Sequence, residues 1–296
     1  NCNVSNCSIE GPGFMSNTNG FGQAIFVYKG SQNCTFSNIS IKGTGSKLAA
    51  IGVAGWSSDD PFDFYRVTRN ISFTNIVADS ITEGVRMNLI SDMDTRRLIE
   101  DINISASKFS GIDNGVAAKI SHSKRVSFNN CTFQRFRKNL QINTRAFTFQ
   151  IGVDDLTLLG CSFFGGEGVL AYGVTGLTVS DCRFFDIIDD EPLKVYGIVG
   201  AMISDNEFKN LSSSSAGSLA AIAIRDNEGS NTRISTNITI QSNKLYDTRT
   251  RKTSRHLSIL YGATDNVFVA SNDIIGAEPG SQEVIRSGTG INIVVK

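Results

Sequence analysis

Leu177-Thr-Val-Ser-Asp-Cys-Arg-Phe184, answered one coil later by Ala201-Met-Ile-Ser-Asp-Asn-Glu-Phe208, is the stretch on which the fold of this chain turns. Apolar and polar residues alternate, a small polar pair interrupts, and the alternation resumes. A period of two is strand chemistry, with one side chain inward and the next outward. Asp and Asn at the interruption tolerate unusual backbone angles and bond back to the chain, which makes a tight corner between two strands.

The same unit recurs along the whole sequence. It reads Cys2-Asn-Val-Ser-Asn-Cys-Ser-Ile9, Cys34-Thr-Phe-Ser-Asn-Ile-Ser-Ile41, Ile71-Ser-Phe-Thr-Asn-Ile-Val77 and Ile102-Asn-Ile-Ser-Ala-Ser-Lys-Phe109. It continues as Val126-Ser-Phe-Asn-Asn-Cys-Thr-Phe133, Leu156-Thr-Leu-Leu-Gly-Cys-Ser-Phe163, Ile238-Thr-Ile-Gln-Ser-Asn-Lys-Leu245 and Val267-Phe-Val-Ala-Ser-Asn-Asp-Ile274, and Ile291-Asn-Ile-Val-Val295 begins another. A further strand precedes most units, as in Val85-Arg-Met-Asn-Leu89, Val116-Ala-Ala-Lys-Ile120, Leu193-Lys-Val-Tyr196 and Leu257-Ser-Ile259. Three short strands per turn-linked coil predict an all-β chain, a right-handed parallel β-helix of about eleven stacked coils. We expect a single β-helix domain over 1–296. Because the chain opens and closes within a repeat, we expect a longer polypeptide with caps over the coil ends.

Composition narrows the function classes. Lys plus Arg number 28 and Asp plus Glu number 28, so net charge argues for neither nucleic acid nor an anionic membrane surface. No apolar run approaches the roughly 20 residues that span a bilayer, and no signal peptide is legible. Cys7, Cys131, Cys161 and Cys182 share one repeat position with Asn206, Asn243 and Asn272. Stacking would turn them into a buried ladder of free thiols and amides rather than a disulfide framework. The many Asn-x-Ser/Thr sites, Asn38 and Asn70 among them, read as corner chemistry. His122 and His256 lack metal-ligand spacing, and we expect no metal or cofactor.

A solenoid is a scaffold, so function must come from outward side chains and insertions. The insertion 55–69 holds Trp56 beside Asp59, Asp60 and Asp63, suited to a sugar ring or else to a loop folded over its own aromatics. Asp92 and Asp94 lie in the next coil's insertion. The outward positions of the second strand carry Arg86, Lys119, Gln141, Tyr172, Lys194, Tyr196 and Arg225, which suit a long acidic glycan or a merely solvated face. Glu167-Gly-Val and Glu191-Pro-Leu stand at matching offsets in adjacent coils, about 4.8 Å apart across strands. Retaining glycosidases need carboxyls about 5–5.5 Å apart. Glu167 and Glu191 are therefore the candidate acid and nucleophile or base, with Asp190 as fallback partner, unless they are ordinary turn carboxylates.

With these coils in view, the chain resembles the pectate-lyase-like superfamily of β-helices, and within it the central domains of bacteriophage tailspikes or appendages. That resemblance implies a homotrimer on a virion that binds, and often cleaves, bacterial polysaccharide, with secretion or a cell surface as the other locations. Polygalacturonase-like enzymes carry an Asn-x-Asp, Asp-Asp, Gly-His-Gly and Arg-x-Lys set, of which this chain has only Ser121-His-Ser-Lys124 in place of the His motif. Mannuronan epimerases carry Asp-Pro-His where it has Asp60-Pro-Phe62. A non-catalytic adhesin or shaft, or a polysaccharide lyase, are the alternatives on the same fold.

Overall fold

The computed structural model describes residues 1–11, 22–28, 30–43, 48–55, 67–89, 99–142, 153–188, 191–211, 220–225, 234–248, 256–262, 264–277, 279–287 and 290–296. Among these every regular element is a strand, and every strand pairing is parallel, each strand meeting its counterpart one coil away. The result is a right-handed parallel β-helix with three strand stacks.

The first stack contains the quoted alternating units. Its register runs without a break through Cys34, Ile71, Ile102, Val126, Leu156, Leu177, Ala201, Ile238, Val267 and Ile293. The third stack is made of three-residue pieces such as Ser162–Phe164 and Arg183–Phe185. Its inward column is Phe109, Phe133, Phe163, Phe184 and Phe208, whose rings stack at 5.5, 5.3, 4.9 and 4.9 Å between centroids. Such pairs add about 0.5–1.5 kcal/mol each beyond the area they bury. Two strands are longer than sequence patterning suggests. Thr68–Leu89 and Lys108–Ile120 run past their corners as continuous strands, with register shifts between Ala78 and Glu83.

Corners explain the asparagines. Asn6, Asn33, Asn38, Asn70, Asn130, Asn210 and Asn237 all have φ between 54° and 58°. This left-handed region costs most side chains about 1–2 kcal/mol and suits Asn and Asp best after Gly. Asn3 and Asn103 are strand residues outside this left-handed set.

The ladder between the first and third stacks is real but mixed. Register places Cys7, Ile39, Ile76, Ser107, Cys131, Cys161, Cys182, Asn206, Asn243 and Asn272 in one column. Cys131, Cys161 and Cys182 are buried, whereas Cys7 is exposed; all six cysteines are free thiols. Asn206 Nδ2 donates to Asn243 Oδ1 at 2.9 Å, and Asn243 Nδ2 to Asn272 Oδ1 at 3.0 Å. The same amide oxygens accept from the backbone N–H of the preceding rung, Asn206 to Asn243 at 3.1 Å and Asn243 to Asn272 at 2.8 Å, and Asn206 Oδ1 accepts from the Cys182 N–H at 2.9 Å. Buried corner donors that no strand can satisfy thus find partners.

Candidate functional site

The second stack presents the candidate site. It includes Leu48–Gly55, the end of Thr68–Leu89, the end of Lys108–Ile120, Lys138–Ile142, Glu167–Tyr172, Leu193–Tyr196 and Ala220–Arg225. Inward positions such as Val85, Val169, Leu193 and Ile222 are buried in the core. One register column runs through Gly52, Arg86, Lys119, Gln141, Leu170, Lys194 and Ala223, and Arg86, Lys119, Leu170 and Lys194 on it are partly exposed. Tyr172, Tyr196 and Arg225 form the next column along the strands.

Glu167 opens its strand opposite Lys138. The register Val169 to Leu193, read back two residues, sets Glu167 opposite Glu191 on the neighbouring rung. The Val169 N–H donating to Pro192 O at 2.7 Å keeps the two coils in step despite the longer turn before Glu191. Gly168 is required here, because a Cβ would lie 2.1 Å from Pro192 O.

The two carboxylates differ in setting. Glu191 is 6% exposed. Its Oε2 faces Lys194 Nζ at 2.9 Å, and its Oε1 accepts from Arg225 Nη2 at 3.2 Å. Glu167 is more open, with Oε2 3.2 Å from Lys138 Nζ and Oε1 3.6 Å from Arg137 Nε. Beside them Tyr172 and Tyr196 stack at 4.5 Å between centroids, 13° from coplanar. The Arg225 guanidinium lies 5.7 Å from the Tyr196 ring centre, within cation–π reach. Carboxylates, cations and tyrosines therefore converge on adjacent rungs.

Arg86 stands farther along the same face, where its guanidinium makes a forked pair with Glu83, Nε to Oε2 at 2.6 Å and Nη2 to Oε1 at 2.7 Å. Sequence reasoning passed over Glu83, Arg137 and Lys138. A signal for Glu83 was available, since Glu83-Gly-Val-Arg86 shares its acid-to-cation spacing with Glu191-Pro-Leu-Lys194 and its Glu-Gly-Val with Glu167. Trp56, Asp59, Asp60, Asp63, Asp92, Asp94 and Asp190 lie outside the described residues. Among the described residues no group of His, Cys, Asp or Glu is arranged to hold a metal ion, and no helix could cross a membrane.

No family model and no curated protein sequence matches this chain. Solved structures do match it. The A-module of the mannuronan C-5 epimerase AlgE4 of Azotobacter vinelandii superposes with a TM-score of 0.60 at 13% identity, over 92% of this chain and 78% of that one. PfbA, a surface adhesin of Streptococcus pneumoniae, gives 0.59 at 11% identity, over 98% and 78%. The tailspike of E. coli bacteriophage HK620 gives 0.43 at 11% identity, over 94% and 57%, too low to single out tailspikes. At these identities the likeness establishes the parallel β-helix fold.

Proposed function

We propose that the protein binds a bacterial surface polysaccharide along its second strand stack and cleaves it as a glycoside hydrolase. The observation that carries this reading is the rung pair itself, with Glu167 and Glu191 in register on adjacent rungs and Tyr172 and Tyr196 stacked at the ends of the strands that follow. One inter-strand step is about 4.8 Å, close to the roughly 5–5.5 Å separation of a retaining pair. Glu191, with a cation against each oxygen, would act as the anionic nucleophile or base. Glu167, the more open of the two, would act as the acid, with Asp190 as the fallback partner. Tyr172, Tyr196, Lys194, Arg225 and Arg86 would hold the glycan. Trp56, Asp59, Asp60, Asp63, Asp92 and Asp94 would reach it from the insertions. The carbohydrate setting is supported by a fold-sharing protein named as a mannuronan epimerase, and the surface setting by one named as a surface adhesin. A homotrimeric tailspike on a virion is the finer form of this proposal.

A second reading, a glycan-binding adhesin without catalysis, is favoured by one observation. Both oxygens of both carboxylates already face cations, which suits holding a ligand more than donating a proton. Incubation with a panel of capsular polysaccharides, followed by product sizing, separates the two. Shortened products, lost on Glu167→Gln or Glu191→Gln by about 10²–10⁴ in rate, support hydrolysis. Wild-type cleavage by both variants moves the chemistry elsewhere, and binding without shortening supports the adhesin. An absorbance gain from unsaturated uronates would identify a lyase instead.

A further inference from the structure

The first strand stack turns a quite different face outward. One outward column runs in register from Asn3 to Phe268, and its neighbour, two residues on, runs from Ser5 to Ala270. Nine register steps link ten rungs in each column, which makes twenty positions. All are Ser, Thr, Asn or Gln except Leu159, Met202, Phe268 and Ala270, so neither column holds a charged side chain. In a chain that is 19% charged, twenty positions would carry about four charges by chance. The other stacks do carry them, at Arg86, Lys119 and Lys194 on the second and Arg183, Glu207 and Lys244 on the third. Depletion of charge is the compositional mark of the core of a protein interface.

Polar groups on this face bond to one another along the stack. Asn129 Nδ2 and Ser127 Oγ both donate to Asn103 Oδ1, at 2.7 and 2.9 Å, and the Ser180 and Ser204 hydroxyls share a bond of 3.2 Å. Groups already paired in this way lose little when water is removed. Leu159 and Met202 stand out from the face, 41% and 47% exposed. Each bulky residue shares its rung with a small one in the other column, Leu159 with Thr157, Met202 with Ser204 and Phe268 with Ala270. Ser204 and Ala270 are buried between their neighbours. Nine steps of about 4.8 Å, by strands of about six residues at about 3.3 Å, give a footprint of roughly 43 by 20 Å. That matches the roughly 800 Å² that each partner contributes to a stable interface.

We propose that this face seats a second copy of the chain, with the two shafts parallel and related by a two-fold axis along the shaft. Such an axis keeps every rung at its own height and reverses the strand direction, so each column faces the other column of its partner. Met202 then packs over the partner's Ser204, Phe268 over the partner's Ala270, and Leu159 over the partner's Thr157. A two-fold axis along the strands would instead reverse the rungs and set Phe268 against the partner's Asn3. The second stack of each copy stays uncovered in the pair, so one repeating polymer has two faces to engage. The inference goes beyond the glycan reading and does not rest on it. It stands against the trimeric tailspike form, because one flat face packed on its own copy closes with two shafts and not three.

Sedimentation equilibrium and light scattering on the chain test the proposal. A pair has a mass of 64 kDa, twice the 32.0 kDa of one chain. Met202→Glu alters a side chain already on the surface and leaves an unpaired charge in the contact, so it should raise the dissociation constant by about a hundredfold or more. Thr178→Arg with Thr239→Arg should do the same, and circular dichroism should show both variants folded as wild type. Thr132→Arg, an outward change on the third stack, should leave the mass at that of the pair. Direction is read by mixing Thr239→Cys chains with Gln241→Cys chains, each also carrying Cys2→Ser and Cys7→Ser, and adding a short bismaleimide. The parallel pair cross-links them. Thr239→Cys mixed with Thr35→Cys, which face each other only in the antiparallel pair, should stay unlinked. A wild-type monomer at the highest soluble concentration, a trimer, a pair that survives Met202→Glu, or cross-linking through Thr35→Cys would each overturn the proposal. Polysaccharide binding is read separately and stands or falls without it.

Discussion

Asn243 is the residue whose loss should be felt most sharply for its size. It is 1% exposed. Its Nδ2 donates to Ile203 O at 2.9 Å and to Asn272 Oδ1 at 3.0 Å, while its Oδ1 accepts from the Asn206 N–H at 3.1 Å and Asn206 Nδ2 at 2.9 Å. Asn243→Ala removes all four bonds. Asn206 Nδ2 keeps Val179 O, and Asn272 Oδ1 keeps the Asn243 N–H. The Asn206 backbone N–H loses its amide acceptor inside the corner, at about 1–3 kcal/mol for one stranded donor. The three remaining net bonds add about 1 kcal/mol each, for a total of about 4–6 kcal/mol. The chain supplies its own control. At the same ladder position Cys182 Sγ reaches Leu158 O at 3.4 Å, the counterpart of the bond from Asn206 to Val179 O. Asn243→Cys should therefore keep a weak form of the downward bond, fill the space, and cost about half as much as Ala. Equilibrium urea unfolding measures both. Equal losses for Ala and Cys, or less than about 1 kcal/mol for Ala, would refute the ladder as a source of stability.

Two further outcomes follow from titrating groups. Hydrogen bonding from Arg125 holds the Asp101 carboxyl below its ordinary 3.8, so the pair's stabilisation is present above 3.8 and is lost as pH falls through the folded value. Arg125 also sits at φ 56°, so Arg125→Gly trades relief of left-handed strain for loss of an exposed, solvent-screened pair. Thermal melts should show the variant near wild type at neutral pH and gaining on it in acid; a constant gap across pH would falsify the linkage. For the thiols, the bond with Cys161 and burial push Cys131 upward. The bond with Cys131 lowers Cys161, but the bond with Cys182 and burial together outweigh it and push the thiol up to about 12. A thiol-reactive disulfide should label Cys2 and Cys7 in the native chain and reach Cys34, Cys131, Cys161 and Cys182 only on unfolding; rapid labelling of all six would contradict the buried ladder.

What the sequence made legible is what the chain repeats. Asn33, Asn70, Asp101, Arg125, Asp155, Asn237 and Asn266 fall at equivalent corners with positive φ, and residue type betrays all but one of them. Arg125 was hidden because its side chain serves the ion pair with Asp101 while its backbone serves the corner. The inward phenylalanines declared the third stack in the same way, coil after coil. Strand continuity was less visible. Residues 79–83 read as a turn between strands, yet Thr68–Leu89 carries pairing through them with only a register shift.

The site is harder to read for the opposite reason, because it consists of departures from a column rather than the column itself. The acid-to-cation spacing that closes around Glu83 and Glu191 fails once, at Glu167, where Leu170 stands in register with Lys194. Without that internal cation Glu167 borrows Lys138 and Arg137 from the preceding coil and stays more open, its side chain 29% exposed against 2% and 7% for the other two. A repeat pattern would score Leu170 as a lapse. In three dimensions that substitution is what leaves one carboxylate of the row accessible beside a row of cations and tyrosines. Restoring the pattern with Leu170→Lys should enclose Glu167 as Glu191 is enclosed. If Glu167 acts on the glycan, that single change should suppress cleavage while leaving the coil intact.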